Sequence, residues 1–227
     1  MWTTFRASMP HASVLIRANP LVEARRLAPA LVHARVRRNC RVAPRLMRAI
    51  GATLSRPVDH SADRMPASTP SSLQVDSVAE GRELPALLTA LKRLGEWYEP
   101  EDIVVLSPFG PQSSLVGRFL AREPENKEER ALRELLTGER PVVWRSIFKA
   151  KGLDAPAVVV TDVTPEAAAW ADEHNLSWND LLYVGMTRAL YACTALRGEG
   201  APWRLASDRM HVPHREGVRV LRAGNSA

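Results

Sequence analysis

Four short apolar runs, residues 103–106, 142–144, 157–160 and 192–196, alternate with segments of helical period. Each run is too short for a helix of its own, and the first three are rich in Val, Ile or Leu, the pattern of a strand buried on both faces. Between them lie Leu84, Leu87, Leu88, Leu91 and Leu94 at helical spacing, closed by Gly95. A second helix is expected over residues 112–122 with Leu115, Phe119 and Leu120 inward. A third runs over 131–136 and stops at Gly138, a fourth over 165–173, and a fifth over 181–189. Strands that alternate with helices predict an α/β domain with a mostly parallel sheet flanked by helices. In such sheets ligands sit at the carboxyl ends of strands. The loops with Pro108, residues 149–154 and Asp162 are expected there.

Charge divides the 227-residue chain unevenly. Residues 1–75 hold twelve Arg, no Lys and three acids, a local charge of +9 within a total of +6, so the remainder carries −3. Pro20, Pro29 and Pro44 interrupt the helical spacing of this Arg-rich stretch, and Pro57, Pro66 and Pro70 with a Ser/Thr cluster read as a linker. The division expected is a basic, poorly ordered segment over 1–74, an ordered domain over 75–197 and a flexible tail over 198–227. A basic arm suits either phosphate neutralisation on a nucleic acid or plain solvation. Cys40 and Cys193 form no C-x-x-C, which fits a reducing compartment and a cytoplasmic location and gives no metal site. No apolar run of about 18 residues predicts a membrane span.

Two stretches carry chemistry. Residues 146–154, Ser-Ile-Phe-Lys-Ala-Lys-Gly-Leu-Asp, lie between apolar runs, and residues 181–189, Leu-Leu-Tyr-Val-Gly-Met-Thr-Arg-Ala, follow about thirty residues later. The second ends an apolar element on one guanidinium, Arg188, whose planar fork suits two oxygens of a phosphate. In this order and at this spacing the pair resembles the fifth and sixth motifs of superfamily 1 helicases of the UvrD/Rep type. There the motifs read T-x-H-x-x-K-G-L-E and L-L-Y-V-A-M-T-R-A. The resemblance covers residues 100 to 197, and residues 104–112 resemble the fourth motif more weakly.

The resemblance implies a single RecA-like domain, the second of the two that enclose ATP in such a motor. It implies that Arg188 contacts the γ-phosphate, that Gly152 lets backbone approach the nucleotide, and that Asp154, in place of the usual Glu, faces the nucleotide sugar. Gln112 joins this nucleotide set through the fourth motif. Ser146, in place of Thr, with Lys149 and Lys151, would face single-stranded DNA. Phe148 stands where the family has His, and suits either a stacked base or a core position. The fourth motif's arginine falls on Ser114, which leaves Arg118 as the candidate for a second phosphate-binding arginine. No G-x-x-x-x-G-K-[ST] occurs, so the β- and γ-phosphate cradle and Mg2+ would come only from a P-loop-bearing first domain in trans. Asp172-Glu173 follows a helical stretch and does not suit a metal-binding strand end. The expected role is therefore half of an ATP-dependent DNA helicase, without ATPase of its own. The alternative is a non-catalytic DNA- or protein-binding module with a basic arm.

Overall fold

The computed structural model describes residues 41–55, 69–150 and 152–202. Five strands form one parallel sheet: β1 (Ser72–Val78), β2 (Ile103–Ser107), β3 (Val143–Ser146), β4 (Ala155–Val163) and β5 (Ala189–Gly198), in the order β1-β5-β4-β2-β3. Among the described residues six helices accompany them: α1 (Pro44–Thr53), α2 (Glu83–Gly95), α3 (Leu115–Leu120), α4 (Lys127–Thr137), α5 (Pro165–Glu173) and α6 (Trp178–Met186). The architecture is the expected one, a parallel sheet covered on both faces.

Period-two alternation sorts the side chains into two cores. Val104, Leu106, Val158, Val160, Cys193 and Ala195 face a cluster completed by Leu46 and Ile50 of α1, Ala171 of α5 and Leu182 and Met186 of α6. Ile103, Val105, Ala157, Val159, Ala192 and Leu196 face the other, with Leu87 and Leu91 of α2, Val116 and Phe119 of α3 and Leu132 and Leu136 of α4. Each such side chain taken fully out of water contributes about 1.5–3 kcal/mol. Four helices begin on a side-chain cap. Ser114, Asn126, Thr164 and Ser177 accept from the backbone N–H of Gly117, Glu129, Ala167 and Asp180, each cap worth about 1 kcal/mol.

Several boundaries differ from expectation. Pro44 opens α1 rather than interrupting a helix, because the first helical position needs no backbone N–H. That helix packs its apolar face on the sheet, and β1 starts at Ser72. The second helix begins at Leu115, not at 112, since Ser114 is its cap; Gln112 lies in the preceding turn. Helix α4 starts at Lys127 on its Asn126 cap, four residues before the expected start at 131. The last helix ends at Met186, because Thr187 turns its hydroxyl back to the Tyr183 carbonyl at 2.7 Å. Ala189, expected in that helix, already pairs with Ala155 as the first residue of β5. Among the described residues no helix is long and apolar enough to cross a membrane, and no group of three His, Cys, Asp or Glu is placed to hold a metal.

Candidate functional site

The connection from β3 to β4 determines where the motif residues fall. It leaves the carboxyl end of β3 in a 3-10 turn, Ile147–Ala150, anchored by buried Ile147 and Ala150, and returns to the amino end of β4. Asp154 therefore stands at an amino end, immediately before Ala155, and not at a carboxyl end as the general rule for such sheets suggested. Arg188 stands immediately before Ala189 at the amino end of the neighbouring strand β5. The Ala155 N–H donates to the Arg188 carbonyl at 3.0 Å, which locks the two approaches together.

Arg188 is not a solvated side chain; only 13% of it is exposed. Its Nε donates to the Val184 carbonyl at 3.1 Å in the last turn of α6, where a cation is favoured by the free carbonyls. Its NH1 lies 3.8 Å from Asp154 Oδ1. Burial first, and then the positive charge of Arg41, lower the proton affinity of this guanidinium; Asp154 and Tyr183 oppose that shift.

Arg41 is the residue that sequence reasoning missed. Its NH1 lies 3.1 Å from the same Asp154 Oδ1, and its NH2 donates to the Thr187 carbonyl at 3.1 Å. The backbone behind it is fixed, because the Ala43 N–H donates to the Leu190 carbonyl at 2.8 Å. Two guanidiniums thus converge on one carboxylate. Gly152, two residues before Asp154, has φ +83° and nothing within 4 Å of where a Cβ would stand. That backbone conformation favours glycine by itself, and it leaves the loop open on that side.

The other predicted residues fall elsewhere. Gln112 is exposed in the turn that follows the carboxyl end of β2, at the other end of the sheet from Arg188 and Asp154. Arg118 is there too, 3.8 Å from Asp162, so it does not supply the second arginine beside Arg188. Ser146 is buried, and its hydroxyl accepts the Lys149 N–H at 3.4 Å. Lys149 is exposed on the 3-10 turn, and Lys151 lies outside the described residues. Phe148, 43% exposed, meets Trp170 edge-on at 6.2 Å; Phe109 meets the same indole at 5.6 Å, and His174 lies 4.5 Å from it. Asp172 and Glu173 are exposed at the end of α5, not at a strand end.

Convergent fork donors with a glycine turn beside them are the donor chemistry that phosphate oxygens accept from. No known protein-family profile matches the chain, and no curated protein matches it. Among solved structures it is similar to the C-terminal domain of a possible DNA helicase from Lactobacillus plantarum WCFS1, at 18% identity and a TM-score of 0.42, over 70% of this chain and 88% of that chain. A likeness this distant decides nothing about function; strand order and side-chain geometry have to.

Proposed function

We propose that this chain is the second RecA-like half of a UvrD/Rep-type DNA helicase and forms one wall of a nucleotide cleft. The observation that supports it is the convergence of Arg188 and Asp154, from separate motifs, at the amino ends of adjacent strands β4 and β5. In this reading a P-loop-bearing first domain binds ATP and its Mg2+. Arg188, fixed by the Val184 carbonyl, then meets charge that develops on the transferred phosphoryl group. Pre-fixing matters, because a guanidinium already held and partly desolvated needs little reorganisation when that charge appears. Asp154 faces the sugar side of the nucleotide, and the Gly152 turn lets backbone come close.

The test mixes the full chain with a first RecA-like domain that carries Walker A, and measures ATP hydrolysis with single-stranded DNA present. Hydrolysis should exceed that of the first domain alone, and Arg188→Gln should remove about 10³-fold or more of the gain. Equal rates with wild type and Arg188→Gln would sink the reading.

A second reading, a non-catalytic module for single-stranded DNA, is favoured by the surface group Phe109, Phe148 and Trp170 with exposed Lys149 beside Phe148. Aromatic faces stack bases without regard to sequence. Under that reading Phe148→Ala weakens binding to single-stranded DNA and Arg188→Gln changes nothing that the first domain does.

A further inference from the structure

We infer that the outer face of α1 is a contact surface for duplex DNA, with Arg45 and Arg48 on the phosphate backbone. This surface lies outside both motifs and outside residues 100–197, and it does not depend on the nucleotide-cleft reading.

Helix α1 spends its apolar face on the sheet: Leu46, Ala49 and Ile50 are buried in the core beneath it. Its exposed positions are Arg45, Arg48 and Ala52. They follow at intervals of three and four, so they form one stripe along the helix. Two guanidiniums are the only charges on that stripe, and the whole helix contains no acid. Among the described residues neither Arg45 nor Arg48 meets a carboxylate.

Fold stability does not account for this placement. Arg45 stands in the first turn, where the helix macrodipole favours an acid, and the last turn, which favours a base, has none. Arg48 is one turn away on the same face, so the two like charges repel. A polyanion laid along the stripe offsets both penalties.

Three features select a nucleic-acid duplex as that polyanion. Residues 24–58, which include α1, hold nine Arg, no Lys and no acid. A guanidinium fork takes two phosphate oxygens at once, where an ammonium is a point charge. The apolar face of α1 is already buried, so the helix cannot sink into a lipid surface as a free basic amphipathic helix does. Finally, α1 exposes no aromatic ring, so nothing on it stacks unpaired bases as single-strand platforms do. Contact with phosphates alone suits a duplex, whose bases stay stacked inside.

The probe is a short blunt DNA duplex, titrated with the full chain over a range of salt and read by fluorescence anisotropy, without nucleotide or partner domain. Wild type should bind with a log–log salt slope steeper than about −2. The double variant Arg45→Gln with Arg48→Gln should lose about 2 from that slope and bind about tenfold more weakly or worse at low salt. Arg45→Lys with Arg48→Lys keeps the charges, so it should keep the slope and lose only part of the affinity. Circular dichroism checks the fold. If the Gln pair unfolds, the Lys pair and single Arg48→Gln, which should lose about 1 from the slope, carry the reading. No duplex binding by wild type, or an unchanged slope in the Gln variants, would overturn the assignment. So would an equal or larger loss on a single strand of the same length, or tighter binding of wild type to phosphatidylglycerol vesicles than to the duplex. The nucleotide-cleft reading is decided in a different mixture, by stimulated ATP hydrolysis and its Arg188→Gln control, so either can fail while the other stands.

Discussion

Asp154 and Asp162 bracket strand β4, one just before its first residue and one near its last, and each answers an arginine on a different element. At the amino end Asp154 takes two guanidiniums and remains partly open to solvent. At the carboxyl end Asp162 is 5% exposed and accepts the Leu115 N–H with both oxygens, at 3.0 and 3.2 Å. One carboxylate is shared between two guanidiniums at a partly open site, and the other is enclosed and fixed.

That fixed role predicts an asymmetric response to substitution. Asp162 holds φ 56° and also accepts from the Thr161 hydroxyl at 3.0 Å. Asp162→Ala leaves the Leu115 N–H without its acceptor, while the Thr161 hydroxyl keeps the Leu106 carbonyl at 3.4 Å, and puts a Cβ residue without a polar tip in the left-handed region. It should cost about 1–3 kcal/mol in urea denaturation. Asp162→Asn tolerates that backbone and keeps one acceptor oxygen, so it should cost clearly less.

Gly185 predicts a coupling. A Cβ there meets Ile147 Cδ1 at 3.0 Å and Cγ1 at 3.2 Å. The helicase motif that residues 181–189 resemble has Ala at this position, and the 3-10 turn seats closely against α6 here. Gly185→Ala should gain about 1 kcal/mol of helix propensity and lose more than that to the Ile147 clash. In an Ile147→Val background, which removes Cδ1, the same change should be less destabilising, by about 0.5–1.5 kcal/mol in a double-mutant cycle. An identical effect in both backgrounds would show that the contact does not limit the site.

How much of this was legible in the sequence depends on range. Strands β2 and β4 announced themselves because burial on both faces leaves an unbroken apolar run. The ends of helices did not, because a cap and a first helical residue look alike in a polar stretch such as 111–115. Helix α1 was hidden by Pro44, read as a breaker when it is a starter. Arg188 and Asp154 could be singled out because each sits in a local motif. Arg41 could not: its bond to Thr187 spans 146 positions, and nothing nearby in the chain marks it apart from the other arginines of its stretch.

An acid titration should report the Arg122–Glu129 pair. Arg122 NH1 donates to Glu129 Oε2 at 2.8 Å and NH2 to Oε1 at 2.6 Å, and the guanidinium lies 5.6 Å from the centre of the Phe119 ring. The Arg122 hydrogen bond, then the Glu125 N–H, lower the Glu129 pKa from 4.5 to about 2. A folded-state pKa below the unfolded one stabilises the fold above the unfolded value. That contribution fades as pH falls from about 4.5 through about 2. Arg122→Gln should raise the Glu129 pKa in a carboxyl NMR titration and remove part of the stability loss in that window.

Cys193 gives a probe of opening. It is fully buried between strands, and burial alone pushes its thiol pKa up to about 12. In a Cys40→Ser background, Cys193 should resist a thiol reagent at neutral pH in the native protein and react quickly in urea. Fast native labelling would mean that the β4–β5 seam opens far more often than its packing implies.

The register of Ser72 against Ala192 has a consequence for how the molecule is made. Edge strand β1, the earliest of the described strands in sequence, docks on β5, the latest of them, 120 positions later. Until then α1 lacks its seat and Arg41 lacks its carbonyl and its carboxylate. The guanidinium pair is therefore assembled only once β5 is in place, by closure of the longest loop in the sheet.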